Sequence, residues 1–155
     1  MPLLALTHQQ QRRRSDCLAA CAAMVLDYLG VQVRYSRLTR ILRIRDAGTS
    51  FYNLRHLSAL GVSVLFEDGD MVALEDHITN GHPVIASVDT QDLRYWQGQS
   101  VLHAVVIVGL DANTVSLHDP AFPNAPQVAE RIAFESAWLR RDYVCAIVQP
   151  ESVVS

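Results

Sequence analysis

Three residues, far apart in a chain of 155, have the types needed for one nucleophilic site: Cys17, His103 and Asp119. Cys17 follows Asp16 and opens the run Cys17-Leu-Ala-Ala-Cys-Ala-Ala-Met-Val-Leu-Asp-Tyr-Leu29, which Gly30 closes. A capping acid, strong helix formers and a glycine stop predict a helix. A thiol in its first turn meets unpaired backbone N–H groups and the positive end of the helix dipole, and both favour the thiolate. Cys21, one turn on, and Cys145 read as small core hydrophobes. A thiolate nucleophile needs a base, and the base needs an orienting group.

The spacing supplies both. Val101 to Val108 reads as a β-branched strand, Asp111-Ala-Asn113 as a turn, and Val115 to His118 as a returning strand. If Leu110 faces Thr114 across a three-residue turn, Asp119 falls opposite Val105 and on the face of His103. Such diagonal neighbours lie about 7–8 Å apart, a gap that an imidazole and a carboxylate can close. A slip of one residue would put them on opposite faces. An oxyanion donor can come from Gln9, Gln10 or Gln11. Adjacent side chains on an extended segment diverge, so at most one of them fits, and the residue types leave open which.

The elements that position these groups follow from patterning. Helices are predicted over the Cys17 run, over Ser36 to Ile44 and over Ser50 to Leu60, with Gly61 as a stop. A strand at Val62 to Phe66, a helix at Met71 to Thr79 and a strand at Pro83 to Val88 come next. Thr90 to Ser100 reads as a polar loop, and Tyr143 to Val148 as a last strand. Helices precede a mostly antiparallel sheet, which is the α+β class. One domain over residues 1–155 is expected from the length. Half the residues are hydrophobic and 19% are charged, which excludes disorder. No apolar run nears the roughly 20 residues of a membrane span, and no secretion signal is evident, so a cytoplasmic protein is expected. The net charge of −3 argues against nucleic-acid binding. It is uneven: residues 1–46 hold eight Arg against three acids, and the remainder five against thirteen. Three Cys without a signal argue against a disulfide framework.

The run Gln11-Arg-Arg-Arg-Ser-Asp-Cys17-Leu-Ala-Ala-Cys-Ala-Ala-Met24 resembles the bacteriocin-processing peptidases, cysteine peptidase family 39. His103-Ala-Val-Val-Ile-Val-Gly109, Asp119-Pro120 and Gly81-His-Pro-Val-Ile-Ala86 continue the resemblance in order, over about residues 8 to 148. The resemblance implies a papain-like fold and a peptidase. In it Cys17 is the nucleophile, His103 the general base and acid, Asp119 the orienter and Gln11 the oxyanion donor. It also implies a leader peptide as substrate and association with a transporter or biosynthetic complex. Leu18 replaces the family's glycine, which narrows the cleft beside Cys17. The family's transporter parts have no counterpart in this sequence.

Tyr95 and Trp96, in the polar loop before the His103 strand, are expected to rim the substrate groove. His8 and His77 read as exposed, and His118 as facing away from His103. The Arg12 to Arg14 run reads as a solvated face. No metal or organic cofactor is expected, since a zinc site from Cys17, Cys21 and a histidine lacks a second Cys-x-x-Cys or His pair. Two rival functions use the same residues: acyl transfer to an amine, and a module that grips a peptide without cutting it.

Overall fold

The computed structural model describes residues 3–151. Helix α1 spans Cys17–Tyr28 and buries eight of its twelve residues, from Leu18 through Leu26. Its alanines let the backbone approach the sheet closely, while Met24 and Leu26 are fully buried. Burying a side chain of that size contributes about 1.5–3 kcal/mol. Helix α2, Tyr35–Ile41, is shorter than its pattern predicts, because Arg43 turns left-handed at φ 56° and ends it. The predicted third helix is a 3₁₀ segment over Phe51–Leu60. The Ser50 side chain caps it by accepting the Tyr52 N–H, and Gly61 closes it at φ 79°.

Asp16 is not the cap that its position suggests. Its backbone lies at φ −96°, ψ 10°, outside the extended region that an N-cap adopts. Its buried carboxylate accepts the Tyr35 hydroxyl at 3.1 Å instead. Helix α3, Met71–Thr79, shows the contrast: Asp70 is extended and accepts the Ala73 N–H at 2.7 Å.

Six strands form one antiparallel sheet in the order β1-β6-β2-β3-β4-β5. They are β1 Val62–Asp68, β2 Val84–Asp89, β3 Leu102–Leu110, β4 Thr114–His118, β5 Gln127–Glu130 and β6 Val144–Pro150. Residues alternate between faces. Ile85, Ala104, Val106 and Ala146 pack against α1, α2 and the 3₁₀ segment. Val84, Ala86, Val105, Ile107 and Ile147 pack against α3 and helix α4, Arg131–Leu139. Strand β5 and helix α4 lie in the stretch for which the sequence reading made no assignment.

The β3–β4 hairpin differs from its expected geometry in two ways that cancel. Leu110 pairs with Val115, not Thr114, so the turn is one residue longer than assumed. The Asp111 carboxylate braces it by accepting the N–H groups of Asn113 and Thr114, each at 2.8 Å. A bulge between Ile107 and Gly109 absorbs the extra residue, and Ile107 faces Leu117 and Val106 faces His118. Continued by one pair, that register puts Asp119 opposite Val105.

The segment before α1 is laced along this hairpin. Leu4 N–H donates to the Val108 carbonyl and Gln11 N–H to that of Pro120, both at 2.8 Å. The His118 ring donates to the Leu6 carbonyl at 3.0 Å and the His8 ring to that of Phe122 at 2.7 Å. This brings Gln11 and Arg12 up to the start of α1.

Candidate active site

His103 and Asp119 are buried, at 7% and 0% exposure. His103 Nε2–H donates to Asp119 Oδ1 at 2.7 Å. The other ring nitrogen, Nδ1, is then the one left free of Asp119, and His103 lines the same cleft as Cys17. Cys17 opens α1, on one face of the sheet. His103 shares the opposite face with Val105 and Ile107. The two meet at the first residues of β3, where they line a cleft of about 220 Å³ together with Leu18, Ser87, Leu102 and Arg141. Thr49 to Tyr52 form the remaining wall. This is smaller than the roughly 300–1,000 Å³ of sites that enclose drug-sized ligands, so it suits a residue or two of an extended chain.

Asp119 collects four donors. Oδ1 also accepts the Ala121 N–H at 3.0 Å. Oδ2 accepts the Tyr95 hydroxyl at 2.8 Å and the Trp96 indole N–H at 2.9 Å. Burial works against the carboxylate, but the His103 hydrogen bond and charge, with the Ala121 and Trp96 donors, hold its pKa below the ordinary aspartate value. Burial likewise works against the imidazolium. The hydrogen bonds and negative charges of Asp119 and Cys17 outweigh it, and the His103 pKa is pushed up to about 9. Tyr95 is held protonated by burial and by the adjacent Asp119.

Tyr95 and Trp96 therefore do not rim the cleft as expected. Their polar hydrogens are spent on Asp119, and the Trp96 ring packs edge-on to His103 at 5.0 Å between centroids. The polar loop folds back onto the hairpin 23 to 24 residues away, which its local composition does not reveal. Ser87, the Thr49–Tyr52 wall and Arg141 are cleft residues that the sequence reading missed. For Arg141 the available signal was the apolar spacing Phe134, Ala137, Trp138, which marks a helix ending just before it.

The first hydrogen bond of α1 joins the Ala20 N–H to the Asp16 carbonyl, so the Cys17 N–H has no partner inside the helix and is free for an oxyanion. Gln11, the expected second donor, is not among the residues that line the cleft, and its amide donates to the Arg13 and Arg14 carbonyls at 3.0 and 3.1 Å. Its Oε1 is buried without a partner. Arg12 stacks over the Tyr35 ring at 4.2 Å, and Tyr35 in turn holds Asp16. Arg12 is thus tied to the frame before Cys17, although it is exposed like Arg13 and Arg14. His8 and His77 are half-buried rather than exposed, and His77 pairs with Glu67 at 2.5 Å. Burial raises the Cys21 thiol, with a further push from Cys17, and lifts Cys145 to about 12.

Among the described residues, no group of three or more His, Cys, Asp or Glu is placed to hold a metal ion, and no helix is long and apolar enough to cross a membrane.

A family model described as the peptidase C39-like family matches residues 3–146. No curated protein matches the sequence. Several solved structures share the fold. A double glycine motif protease from an AMS/PCAT transporter, solved in complex with the leader peptide, is 18% identical with a TM-score of 0.77, over 96% of this chain and 94% of that one. A putative C39-like peptidase from Bacillus anthracis is 19% identical with a TM-score of 0.76, over 97% and 98%. The peptidase domain of Streptococcus ComA, a bifunctional ABC transporter of a quorum-sensing pathway, is 21% identical with a TM-score of 0.76, over 93% and 98%. The α+β fold is thus the papain-like one that the sequence motifs implied.

Proposed function

The chain belongs to the peptidase C39-like family of cysteine peptidases, and from that premise we propose that Cys17, His103 and Asp119 open a peptide bond by acyl transfer to water. The observation that carries this reading is the buried His103 ring, held by Asp119 on one nitrogen and sharing one cleft with Cys17. Cys17 attacks the carbonyl carbon as thiolate. The Cys17 N–H receives the developing oxyanion, and Gln11 adds a second donor once it releases one of its two loop carbonyls. The C–N bond breaks as His103 passes its proton to the leaving amine. Water then loses a proton to His103, attacks the thioester and frees the Cys17 thiolate. Asp119 keeps the ring oriented throughout.

The substrate in this reading is an extended peptide of the leader class, cut near small residues and met in the cytoplasm. A neighbouring fold is solved with a leader peptide, and two neighbours are named as parts of transporters, which supports that class and contact with an exporter or biosynthetic complex. Leu18 is 3% exposed and lines the cleft, so it restricts the bulk accepted beside Cys17. Incubation with a library of short peptides, read by mass spectrometry, tests the reaction. Hydrolysed products that vanish in Cys17→Ala are expected. Amine adducts would favour the transferase, and affinity without products would leave only a binding module.

A further inference from the structure

Arg141 stands half-buried in the wall of the cleft, without an ion pair among the described residues. It follows α4 in the turn to β6, where its N–H donates to the Trp138 carbonyl at 2.9 Å and its carbonyl accepts the Val144 N–H at 3.1 Å. The next two residues, Asp142 and Tyr143, sit at φ 57° and 58°. Two consecutive left-handed non-glycine residues are strained, and such strain persists where the surroundings over-determine the chain, often at functional sites. The turn thus presents the Arg141 side chain to the cleft from a fixed base.

The chain neighbour Arg140 is paired with Asp92 at 2.6 Å. Arg141 makes no ion pair and no side-chain hydrogen bond among the described residues. Its Nε is shut away from solvent with no acceptor, a costly state for a charged donor. No acidic residue lines the cleft, since Asp119 lies behind His103 with both oxygens occupied. An anion of planar shape would complement this side chain, because the guanidinium fork matches a carboxylate in two parallel hydrogen bonds.

We propose that Arg141 makes this cleft a reader of carboxylates. The favoured peptides carry one, from a Glu or Asp side chain or from a free C-terminus, within a residue or two of the bond that is cut. This rests on the peptidase reading above. It adds a charge requirement that Cys17, His103 and Asp119 do not themselves impose.

The test uses quenched fluorogenic octapeptides of Ala and Gly, with a single Glu or Gln at each position in turn, and with acid or amide C-termini. For the wild type, kcat/KM should favour the carboxylate member of one pair by about 10- to 100-fold, the range for a hydrogen bond to a charged group. A preference at an internal Glu marks a side-chain reader, and one confined to acid termini marks a C-terminal reader. Arg141→Gln and Arg141→Met should each bring that ratio to near one, while Arg141→Lys keeps part of it. The ratio is taken within each variant, so a loss of folded protein cancels. A ratio near one for every wild-type pair, or one unchanged in Arg141→Met, overturns the inference. If the wild type cleaves none of these peptides, their Kd values on Cys17→Ala decide. A carboxylate preference abolished by adding Arg141→Met keeps the Arg141 assignment while the peptidase reading falls. Equal Kd values overturn it.

Discussion

His103 has to hold a proton for the leaving amine and yet give up its ring to a thiolate, and its surroundings favour the proton. Its pKa is pushed up to about 9, so kcat/KM should fall as pH rises through about 9. Alkylation of Cys17 by iodoacetamide needs only the thiolate and should not fall over the same range. A fall in kcat/KM centred near pH 7 would contradict the assignment. The same group links pH to stability. Its folded pKa lies above its ordinary value of 6.5, so its contribution is complete below about pH 6.5 and is lost as pH rises through about 9. The urea midpoint should decline over that interval, and His103→Ala should flatten the decline. Tyr95 is a second residue whose role depends on a partner distant in sequence. Tyr95→Phe removes one of two donors on Asp119 Oδ2, at a cost of about 1.5–3 kcal/mol for a hydrogen bond to a charged group. As a positioning residue it should lower kcat more than it alters KM, and an unchanged kcat would assign it to stability alone. Of the expected constellation, the contact of His103 with Asp119 was legible from residue type and hairpin parity, although the parity holds only through a bulge. Tyr95 and Trp96 were misplaced because a loop's destination is set by tertiary packing, not by its own polarity.

Local signals fixed most elements and missed where neighbours overrule them. Asp70 caps its helix as its residue type predicts, whereas Asp16 turns to Tyr35, because its backbone already lies outside the capping conformation. The hairpin shows a subtler case. Turn length and strand parity predict a shared face for His103 and Asp119, but the turn is longer than assumed, and only the bulge near Val108 restores the parity. A bulge leaves little trace in a run of Val and Ile. Helix α4 and strand β5 went unread, although α4 sets the approach to Arg141. Its Trp138 is fully buried, packs against Phe134 and Tyr143 with centroids 5.7 and 5.2 Å away, and donates to the Val144 carbonyl at 3.0 Å. Trp138→Ala should cost about 3–5 kcal/mol in urea unfolding, the range for emptying an aromatic site in a core. A loss under about 1 kcal/mol would mean that the α4 side of the sheet relaxes around the gap.

Across the whole molecule, the cleft gathers residues from five distant parts of the chain: the start of α1, the wall at Thr49 to Tyr52, the end of β2, the start of β3 and the turn after α4. The sheet makes this convergence possible, since both of its faces are covered by helices and the entry to β3 is shared by the two layers. Composition and charge limited the function classes, and the ordered motifs pointed to the fold. The shape of the cleft was not legible, because it depends on how α4 and the segment before α1 close around the sheet. The central claim is that one of three cysteines is the working nucleophile. Cys21 and Cys145 are buried with raised thiol pKa values, and Cys17 lines the cleft. Mild iodoacetamide treatment of the folded protein at neutral pH, followed by peptide mapping and a peptidase assay on the same samples, tests this most directly. One label per chain at Cys17, with peptide hydrolysis lost in proportion, is the predicted result. Labelling that starts at Cys21 or Cys145, or hydrolysis that survives full labelling of Cys17, would contradict it.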